Sequence, residues 1–219
     1  MDPLTVIGAF LLLALVAILI LWRLVVLIPG PRSKFDPSPD HPTHLMVLLG
    51  SGGHTGEMMR LLKDLNIDRY PVRTWVHYPE DAISARKAVE FDAAAISGSS
   101  AKAGQLVSVK RARAVGQGWM SSIWTTIGSL ISCFRIALLK PDVLVCNGPG
   151  TSVTLCGAVF VLKFFGLSKT RIVFIESLAR VHSLSLSGKL LLPIADRFLV
   201  QWPSVASKYR RAEYYGILV

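Results

Sequence analysis

The apolar positions of this chain alternate between short continuous runs and stripes with the spacing of a helix face. Leu45–Leu49 is a continuous apolar run, and it leads directly into a turn of small residues. Apolar residues then recur at the i, i+3, i+4, i+7 spacing of one helix face, at Met58, Leu61, Leu62 and Leu65. This order predicts a buried strand, a tight turn and an amphipathic helix, which together open a parallel α/β sheet.

The same alternation continues to the end of the chain. Further strands are predicted at 72–77, 93–96, 106–109, 141–146, 171–175 and 198–201. Helices are predicted at 81–89, at 119–139, from a Thr151 or Ser152 cap to about 165, and at 187–194. Strands that alternate with helices predict a Rossmann-like, doubly wound parallel sheet. The helix at 119–139 is expected to pack on this sheet, and a face of it that also enters a membrane is the alternative.

The N-terminal segment is long and apolar enough to cross a membrane. Residues 4–22 carry no charge, and at about 1.5 Å per residue they span roughly 28 Å, close to a bilayer core. Residues 24–28 extend the segment if the Arg23 side chain reaches the head groups. A cleaved signal peptide is the alternative, but it has a shorter apolar core after a basic start. Asp2 is the only charged residue before this segment and no A-x-A cleavage site follows it, so a retained anchor is expected.

Flanking charge predicts the orientation of that anchor. Arg23, Arg32 and Lys34 follow the apolar run, and basic residues favour the cytosolic side. The chain is therefore expected to divide into a short lumenal N-terminus at 1–3, a transmembrane anchor at 4–28, a proline-rich tether at 29–43 and a cytosolic Rossmann-like domain at 44–219. The apolar C-terminal residues of that domain are expected to form a docking surface.

Composition narrows the range of partners. The net charge is +10, the hydrophobic fraction is 52% and the mean hydropathy is +0.48. The positive net charge suits a surface close to anionic head groups or phosphates. Nucleic acid is the competing interpretation, but the basic residues are scattered and lack the aromatic-basic pattern of an RNA-binding sheet. The three cysteines show no metal-ligand spacing, so we expect neither a metal nor another cofactor.

Three turns follow apolar strands and are expected to meet at one rim of the sheet. They are Gly50–Thr55, Asn147–Thr151 and Glu176–Arg180. In doubly wound sheets, ligands bind beyond the carboxyl ends of the strands. The first turn lacks the lysine of a phosphate-binding P-loop and fails the dinucleotide pattern at Thr55. A purely structural turn is therefore the alternative to a ligand site.

The polar side chains of these turns suggest acid–base chemistry. His54 has an ordinary pKa near neutrality and could act as a general base on a hydroxyl group. Glu176 could orient His54, bind a sugar hydroxyl or act as the base itself, and a structural hydrogen-bonding role is the alternative. The backbone N–H groups of Gly52 and Gly53 could hold a phosphate.

Several short motifs together resemble one known family. They are Gly50–Thr55, Cys146–Thr151, Glu176-Ser177, Ser187–Lys189, Gln201–Pro203 and Tyr215–Val219. With the apolar N-terminus, they resemble the asparagine-linked glycosylation protein fourteen family. That family is similar to the N-terminal half of the bacterial lipid-intermediate glycosyltransferase of peptidoglycan synthesis, an enzyme of the two-domain GT-B fold. The resemblance implies that this chain is the acceptor-side half of such an enzyme.

The resemblance also implies a function and its partners. A soluble donor-binding subunit similar to asparagine-linked glycosylation protein thirteen would pair with this chain, which would be inactive alone. The pair would add the second N-acetylglucosamine (GlcNAc) to GlcNAc-diphosphodolichol at the endoplasmic reticulum membrane and the continuous nuclear envelope. The first GlcNAc-phosphate transferase of the pathway is a further implied partner. A polysaccharide transferase subunit using another sugar and a non-catalytic scaffold are the alternatives.

The resemblance and the chemistry of the turns together assign roles to specific residues. His54 and Glu176 are the catalytic candidates, and which of them is the base stays open. Ile217, Leu218 and Val219 are expected to dock the soluble subunit. The residues expected to bind the acceptor and its diphosphate are Gly50, Ser51, Gly52, Gly53, Thr55, Asn147, Gly148, Pro149, Gly150, Thr151 and Arg180.

Overall fold

A computed structural model describes residues 2–28, 43–96, 102–112 and 119–219, apart from the side chains at 3–4 and 119–122. The helices are α1 (Pro3–Leu27), α2 (Gly53–Leu61), α3 (Ala82–Ile96), α4 (Trp119–Ala137), α5 (Gly150–Phe164), α6 (Leu186–Leu191) and α7 (Pro203–Ala206). The strands are β1 (His44–Leu48), β2 (Val72–His77), β3 (Gln105–Ser108), β4 (Val143–Asn147), β5 (Arg171–Ile175), β6 (Arg197–Val200) and β7 (Ala212–Tyr214). The tether expected at 29–43 lies, except for Thr43, outside the described residues.

Within the described residues, the strands form one parallel sheet in the order β3-β2-β1-β4-β5-β6-β7. The chain first adds strands on one side of β1 and then on the other, so β1 and β4 are neighbours at the point where the order reverses. Ligands bind at this point in doubly wound sheets, beyond the carboxyl ends of the strands. The predicted Rossmann-like fold is confirmed.

The apolar run of β1 serves two separate cores because its side chains alternate between the faces of the sheet. Met46 and Leu48 pack with residues of α4, α5 and α6. Leu45 and Val47 pack with residues of α2 and α3 on the other face. Burial on both faces explains why the strand is continuously apolar and why it could be recognised in the sequence.

Two details of the predicted secondary structure are wrong. The strand expected at 93–96 is the last turn of α3, where the alanines favour the helix and Asp92 is bonded to the buried Arg73. The expected Thr151 or Ser152 cap of α5 is also wrong, because the N-cap is Pro149 and the helix begins at Gly150. The Thr151 hydroxyl instead accepts a hydrogen bond from the backbone N–H of Ala112.

Helix α1 has the length and apolar composition that a bilayer crossing requires, from Thr5 to Leu27. Its side chains are largely exposed, and it contacts the domain at α5. Arg23 was expected to reach lipid head groups. In the structure its guanidinium donates to the carbonyls of Phe164 and Lys163 at the end of α5, both at 2.9 Å.

Candidate functional site

The loops that follow β1 and β4 touch each other at the reversal point of the sheet. Gly50 lies so close to both loops that a Cβ atom on it would be 2.6 Å from His54 Cβ and 3.0 Å from Pro149 Cγ. Asn147, the last residue of β4, donates from Nδ2 to the His54 carbonyl at 2.8 Å. The two loops are therefore packed and bonded into a single rim with His54 at its centre.

The His54 ring lies directly on the backbone of Gly148. A Cβ atom on Gly148 would be 2.2 Å from His54 Cε1 and 2.4 Å from Nδ1, closer than any real contact. Gly148 also has a φ of 51°, a left-handed conformation that residues with a side chain adopt only with strain. Because Gly148 has no side chain, the loop after β4 leaves room for the imidazole.

Glu57 faces His54 from the next turn of α2. The two side chains are three residues apart on one helix face, and His54 Nδ1 is 3.5 Å from Glu57 Oε2. The other carboxylate oxygen of Glu57 accepts hydrogen bonds from Ser177 Oγ at 2.9 Å and from the Leu178 backbone N–H at 3.2 Å. The loop after β5 therefore fixes Glu57, and Glu57 in turn is placed to orient the imidazole.

Sequence reasoning missed Glu57 as a functional residue. The i, i+3 spacing from His54 was visible and indicates a shared face. The contact with Ser177, 120 residues further along the chain, was not visible in the sequence.

Three buried polar atoms around His54 have no hydrogen-bond partner within the described part of the chain. They are His54 Nδ1, Glu57 Oε2 and Asn147 Oδ1. Buried polar atoms are normally paired, and leaving one unpaired costs about 1–3 kcal/mol. Their convergence marks this rim as a place where a proton or a ligand group completes the bonding. The His54 side chain as a whole is 37% exposed, so the site is open to a ligand.

Two helices begin at this rim with their first N–H groups uncapped by side chains. Gly52, with a φ of 63°, is the N-cap of α2, and Pro149 is the N-cap of α5. Neither N-cap residue has a side chain that accepts a hydrogen bond from the first N–H groups of its helix. Gly53 and Gly150, the first residues of the helices, are exposed. Such helix starts favour anions through their free N–H groups and positive dipole ends.

Two predicted ligand-binding threonines are buried inside the loops. Thr55 Oγ1 donates to the Gly50 carbonyl and lies 2.7 Å from Ser84 Oγ. The Thr151 hydroxyl binds the Ala112 N–H at 3.2 Å. Both residues are at most 3% exposed, so their hydroxyls shape the loops rather than face the open rim.

Glu176 is buried, and its carboxylate is turned toward α6. Its Oε2 accepts from the Ser185 N–H at 2.9 Å and from Ser185 Oγ at 3.0 Å. Its Oε1 accepts from the Ser177 N–H at 3.2 Å. Gly188 leaves room for the carboxylate, since a Cβ there would lie 2.2 Å from Oε2. The structure thus pairs His54 with Glu57, while the three donors around Glu176 match the structural alternative; its assignment as a base stays a prediction.

The remaining predicted residues lie around this centre. Arg180 is exposed on the loop after β5. In the C-terminal tail, Ile217 is exposed, while the Leu218 N–H donates to Gln201 Oε1 at 3.2 Å. Gln201 Nε2 in turn donates to the Glu176 carbonyl at 3.2 Å, which ties the tail to the loop after β5. Docking of a partner by Ile217, Leu218 and Val219 stays a prediction.

The cysteines take no part in the site. All three are free and buried, and burial raises the pKa of the Cys133 and Cys146 thiols above the ordinary value. Raised pKa values keep these thiols protonated and unreactive. Within the described residues, no group of three or more His, Cys, Asp or Glu side chains is placed to hold a metal ion.

Two solved structures have a fold similar to that of this chain. MurG from Acinetobacter baumannii superposes with a TM-score of 0.54 at 13% identity, over 80% of this chain and 45% of the MurG chain. The structure of LpCGTa in complex with UDP gives a TM-score of 0.50 at 13% identity, over 82% of this chain and 53% of that chain. The likeness establishes the fold, and the chain spans about half of each of these proteins.

Sequence comparison identifies the family. Residues 45–218 match the family described as Oligosaccharide biosynthesis protein Alg14 like. The UDP-N-acetylglucosamine transferase subunit ALG14 of Debaryomyces hansenii is 48% identical over 84% of this chain and 79% of that protein. The Yarrowia lipolytica subunit is 46% identical, covering 93% and 95%, and the Homo sapiens subunit is 37% identical, covering 93% and 94%. This chain belongs to the Alg14-like family of oligosaccharide biosynthesis proteins.

Proposed function

We propose that this chain is the membrane-anchoring, acceptor-binding subunit of a UDP-GlcNAc transferase made of two kinds of subunit. The enzyme adds the second GlcNAc to GlcNAc-diphosphodolichol on the cytosolic face of the endoplasmic reticulum membrane. The relatives named as UDP-N-acetylglucosamine transferase subunits support the donor sugar and the subunit character. The observation that carries a catalytic role is the imidazole of His54, seated on Gly148 and backed by Glu57 at the reversal point of the sheet.

The size of the domain supports the idea of half an enzyme. The chain covers 45% of the MurG chain and 53% of the LpCGTa chain, so it holds about half of each of these folds. A second, soluble subunit then supplies the UDP-GlcNAc site, and this chain recruits it to the membrane. Because the donor site lies on the other subunit, this chain is inactive alone.

Helix α1 supports the anchoring role. Its length and apolar composition suit a bilayer crossing, and the basic residues that follow it favour a cytosolic domain. A domain held at the membrane meets an acceptor that is itself anchored there by a polyprenyl chain. The acceptor diphosphate then binds at the uncapped starts of α2 and α5, where backbone N–H groups and the helix dipoles stabilise its negative charge.

His54 acts as the general base in the proposed reaction. Its Nδ1 atom is buried against Glu57, so Nε2 is the ring nitrogen left for the substrate. Nε2 takes the proton of the acceptor sugar hydroxyl as that oxygen forms a bond to C1 of the donor GlcNAc. The bond between C1 and the diphosphate breaks, and UDP leaves with the electron pair. Glu57 stabilises the imidazolium that forms.

Substitutions in the assembled enzyme separate this role from that of a scaffold. His54→Ala should lower the transfer rate by about 10²–10⁴-fold because the general base is lost. Glu57→Gln, which keeps the shape but removes the charge, should lower it by about tenfold or more. Glu90→Gln on α3 is the matched control, since the Glu90 carboxylate is exposed and lies against Arg86 on its own helix.

Binding of the soluble subunit must be measured in the same preparations. The proposed role requires that His54→Ala and Glu57→Gln bind it as the unaltered chain does. A His54→Ala enzyme that assembles normally and transfers GlcNAc at the original rate would show that this chain is a non-catalytic scaffold.

A further inference from the structure

The C-terminus of α5 ends in a fully formed cap, and its last two carbonyls also bind another part of the chain. The Leu167 N–H donates to the Leu162 carbonyl at 2.8 Å and the Gly166 N–H to the Lys163 carbonyl at 3.0 Å. With Gly166 at a φ of 73°, this is a Schellman motif. Arg23 of α1 then donates from Nε to the Phe164 carbonyl and from Nη2 to the Lys163 carbonyl, both at 2.9 Å.

Arg23 has a physical reason to form these bonds. It is the only charged residue between 4 and 28, close to the end of the apolar segment, where a charge that lacks a partner is costly. The carbonyl end of α5 carries the negative end of the helix dipole and favours a cation. Two charge-assisted bonds from one guanidinium also fix direction, which a lysine with its compact charge would do less well.

The α5 end presents large apolar side chains beside this contact. Phe165 is 68% exposed and Leu167 is 52% exposed, immediately after the residues that Arg23 binds. Helix α4, which packs against α5, carries an exposed apolar stripe of its own. The exposed residues of that stripe are Ile123, Trp124, Ile127, Ile131 and Leu138.

We propose that Arg23 is a latch that holds the α5 end against the anchor and thereby seats the domain on the bilayer. Phe165, Leu167 and the exposed stripe of α4 form the seating surface, and its partner is the lipid interface. Lipid is the partner because this surface begins directly after Lys163 and Phe164, whose carbonyls Arg23 of the membrane helix binds. Lys169, exposed just beyond Leu167, can reach anionic head groups. The inference rests on α1 spanning the membrane, as proposed above.

Fluorescence quenching by spin-labelled lipid tests the seat in the full-length chain. A Phe165→Cys substitution introduces an exposed thiol, and the three native cysteines are buried, so an environment-sensitive dye attaches selectively. The labelled chain is placed in phosphatidylcholine–phosphatidylinositol vesicles that carry a nitroxide near the head groups. The comparison includes Arg23→Met, Arg23→Lys and Arg32→Met, the last removing an equivalent charge after the apolar segment.

If Arg23 holds the domain on the bilayer, quenching should be strong in the labelled Phe165→Cys chain, which is the parent of the other variants, and in Arg32→Met. Most of that quenching should be lost in Arg23→Met, and the quenching in Arg23→Lys should lie between these two. Equal quenching in Arg23→Met and the parent would overturn the latch, and absence of quenching in the parent would overturn the seat. Resistance to alkaline extraction, measured on the same vesicles, reports separately on α1. Extraction of the parent would refute the anchor itself, whereas an anchored but unquenched chain refutes only the seat.

Discussion

A single added methyl group at Gly148 should disable the site without unfolding the domain. In Gly148→Ala the new Cβ would lie 2.2 Å from His54 Cε1, 2.4 Å from Nδ1 and 2.7 Å from Nε2. All three atoms belong to the ring, so the imidazole as a whole must leave its seat. It would then lose its position relative to Glu57 Oε2, which is 3.5 Å away in the structure.

The expected size of this effect follows from the role of the base. If His54 removes the acceptor proton, displacing it should lower the transfer rate of the assembled enzyme by about 10²–10⁴-fold. The free energy of unfolding, in contrast, should fall only modestly. The left-handed backbone at Gly148 costs about 1–2 kcal/mol for alanine, which for a chain of this size corresponds to roughly 2–8 °C in the unfolding midpoint.

Two other glycines provide matched controls. Gly56 lies on α2 with open space around it and an ordinary backbone, so Gly56→Ala should retain the transfer rate. Gly52 has a φ of 63° but nothing within 4 Å, so Gly52→Ala should show the backbone cost in thermal unfolding without the collision. Transfer is measured with UDP-GlcNAc and a GlcNAc-diphosphate polyprenyl acceptor. A Gly148→Ala enzyme as fast as Gly56→Ala would refute the placement of His54 as the base.

Three further predictions concern the stability of the fold and its dependence on pH. Asp92→Ala should destabilise the domain by about 3–5 kcal/mol, because it removes the carboxylate that pairs with the buried Arg73 and leaves Trp75 Nε1 without its acceptor; thermal unfolding in detergent measures the loss. Glu90→Ala, which removes an exposed partner of Arg86, should cost no more than about 1 kcal/mol in the same assay. Burial lowers the pKa of His44, although the Asp142 carboxylate opposes the shift, so stability should be full above about pH 6.5 and fall as the pH drops toward the lowered pKa.

Acid should destabilise the domain through His44. The unfolded chain gains a proton on His44 below about pH 6.5 while the folded chain does not, so acid favours the unfolded state. The neutral ring lies 2.8 Å from Thr74 Oγ1. His44→Gln should therefore flatten the change of unfolding midpoint between about pH 7 and 5. An unchanged slope would contradict the assignment, as would an Asp92→Ala chain as stable as Glu90→Ala.

Much of the sheet could be predicted from the sequence because its central strands are buried on both faces. Val72–His77 and Arg171–Ile175 were predicted with the observed bounds. The strand β7 was missed because its three residues form no apolar run and because it lies at the edge of the described sheet, beside β6. The strand predicted at 93–96 was wrong because a short apolar run fits a strand or a helix end equally well.

The position of the candidate site at the ends of neighbouring strands could be predicted from the sequence, but the contacts among its side chains could not. The turns after β1, β4 and β5 do follow neighbouring strands, as the alternating pattern indicated. The seat of His54 on Gly148 and the bond from Ser177 to Glu57 depend on how distant loops pack, which no local pattern contains. The same is true of Glu176, whose carboxylate is occupied by Ser185 at the start of α6.

The most direct test of the central claim is GlcNAc transfer by the purified full-length chain, measured alone and after addition of the soluble subunit. The substrates are UDP-GlcNAc and a GlcNAc-diphosphate polyprenyl acceptor in detergent or vesicles. The account predicts no transfer by the chain alone and steady transfer once the soluble subunit is present. Transfer by this chain alone would contradict it, because the donor site would then lie within the single Rossmann-like domain.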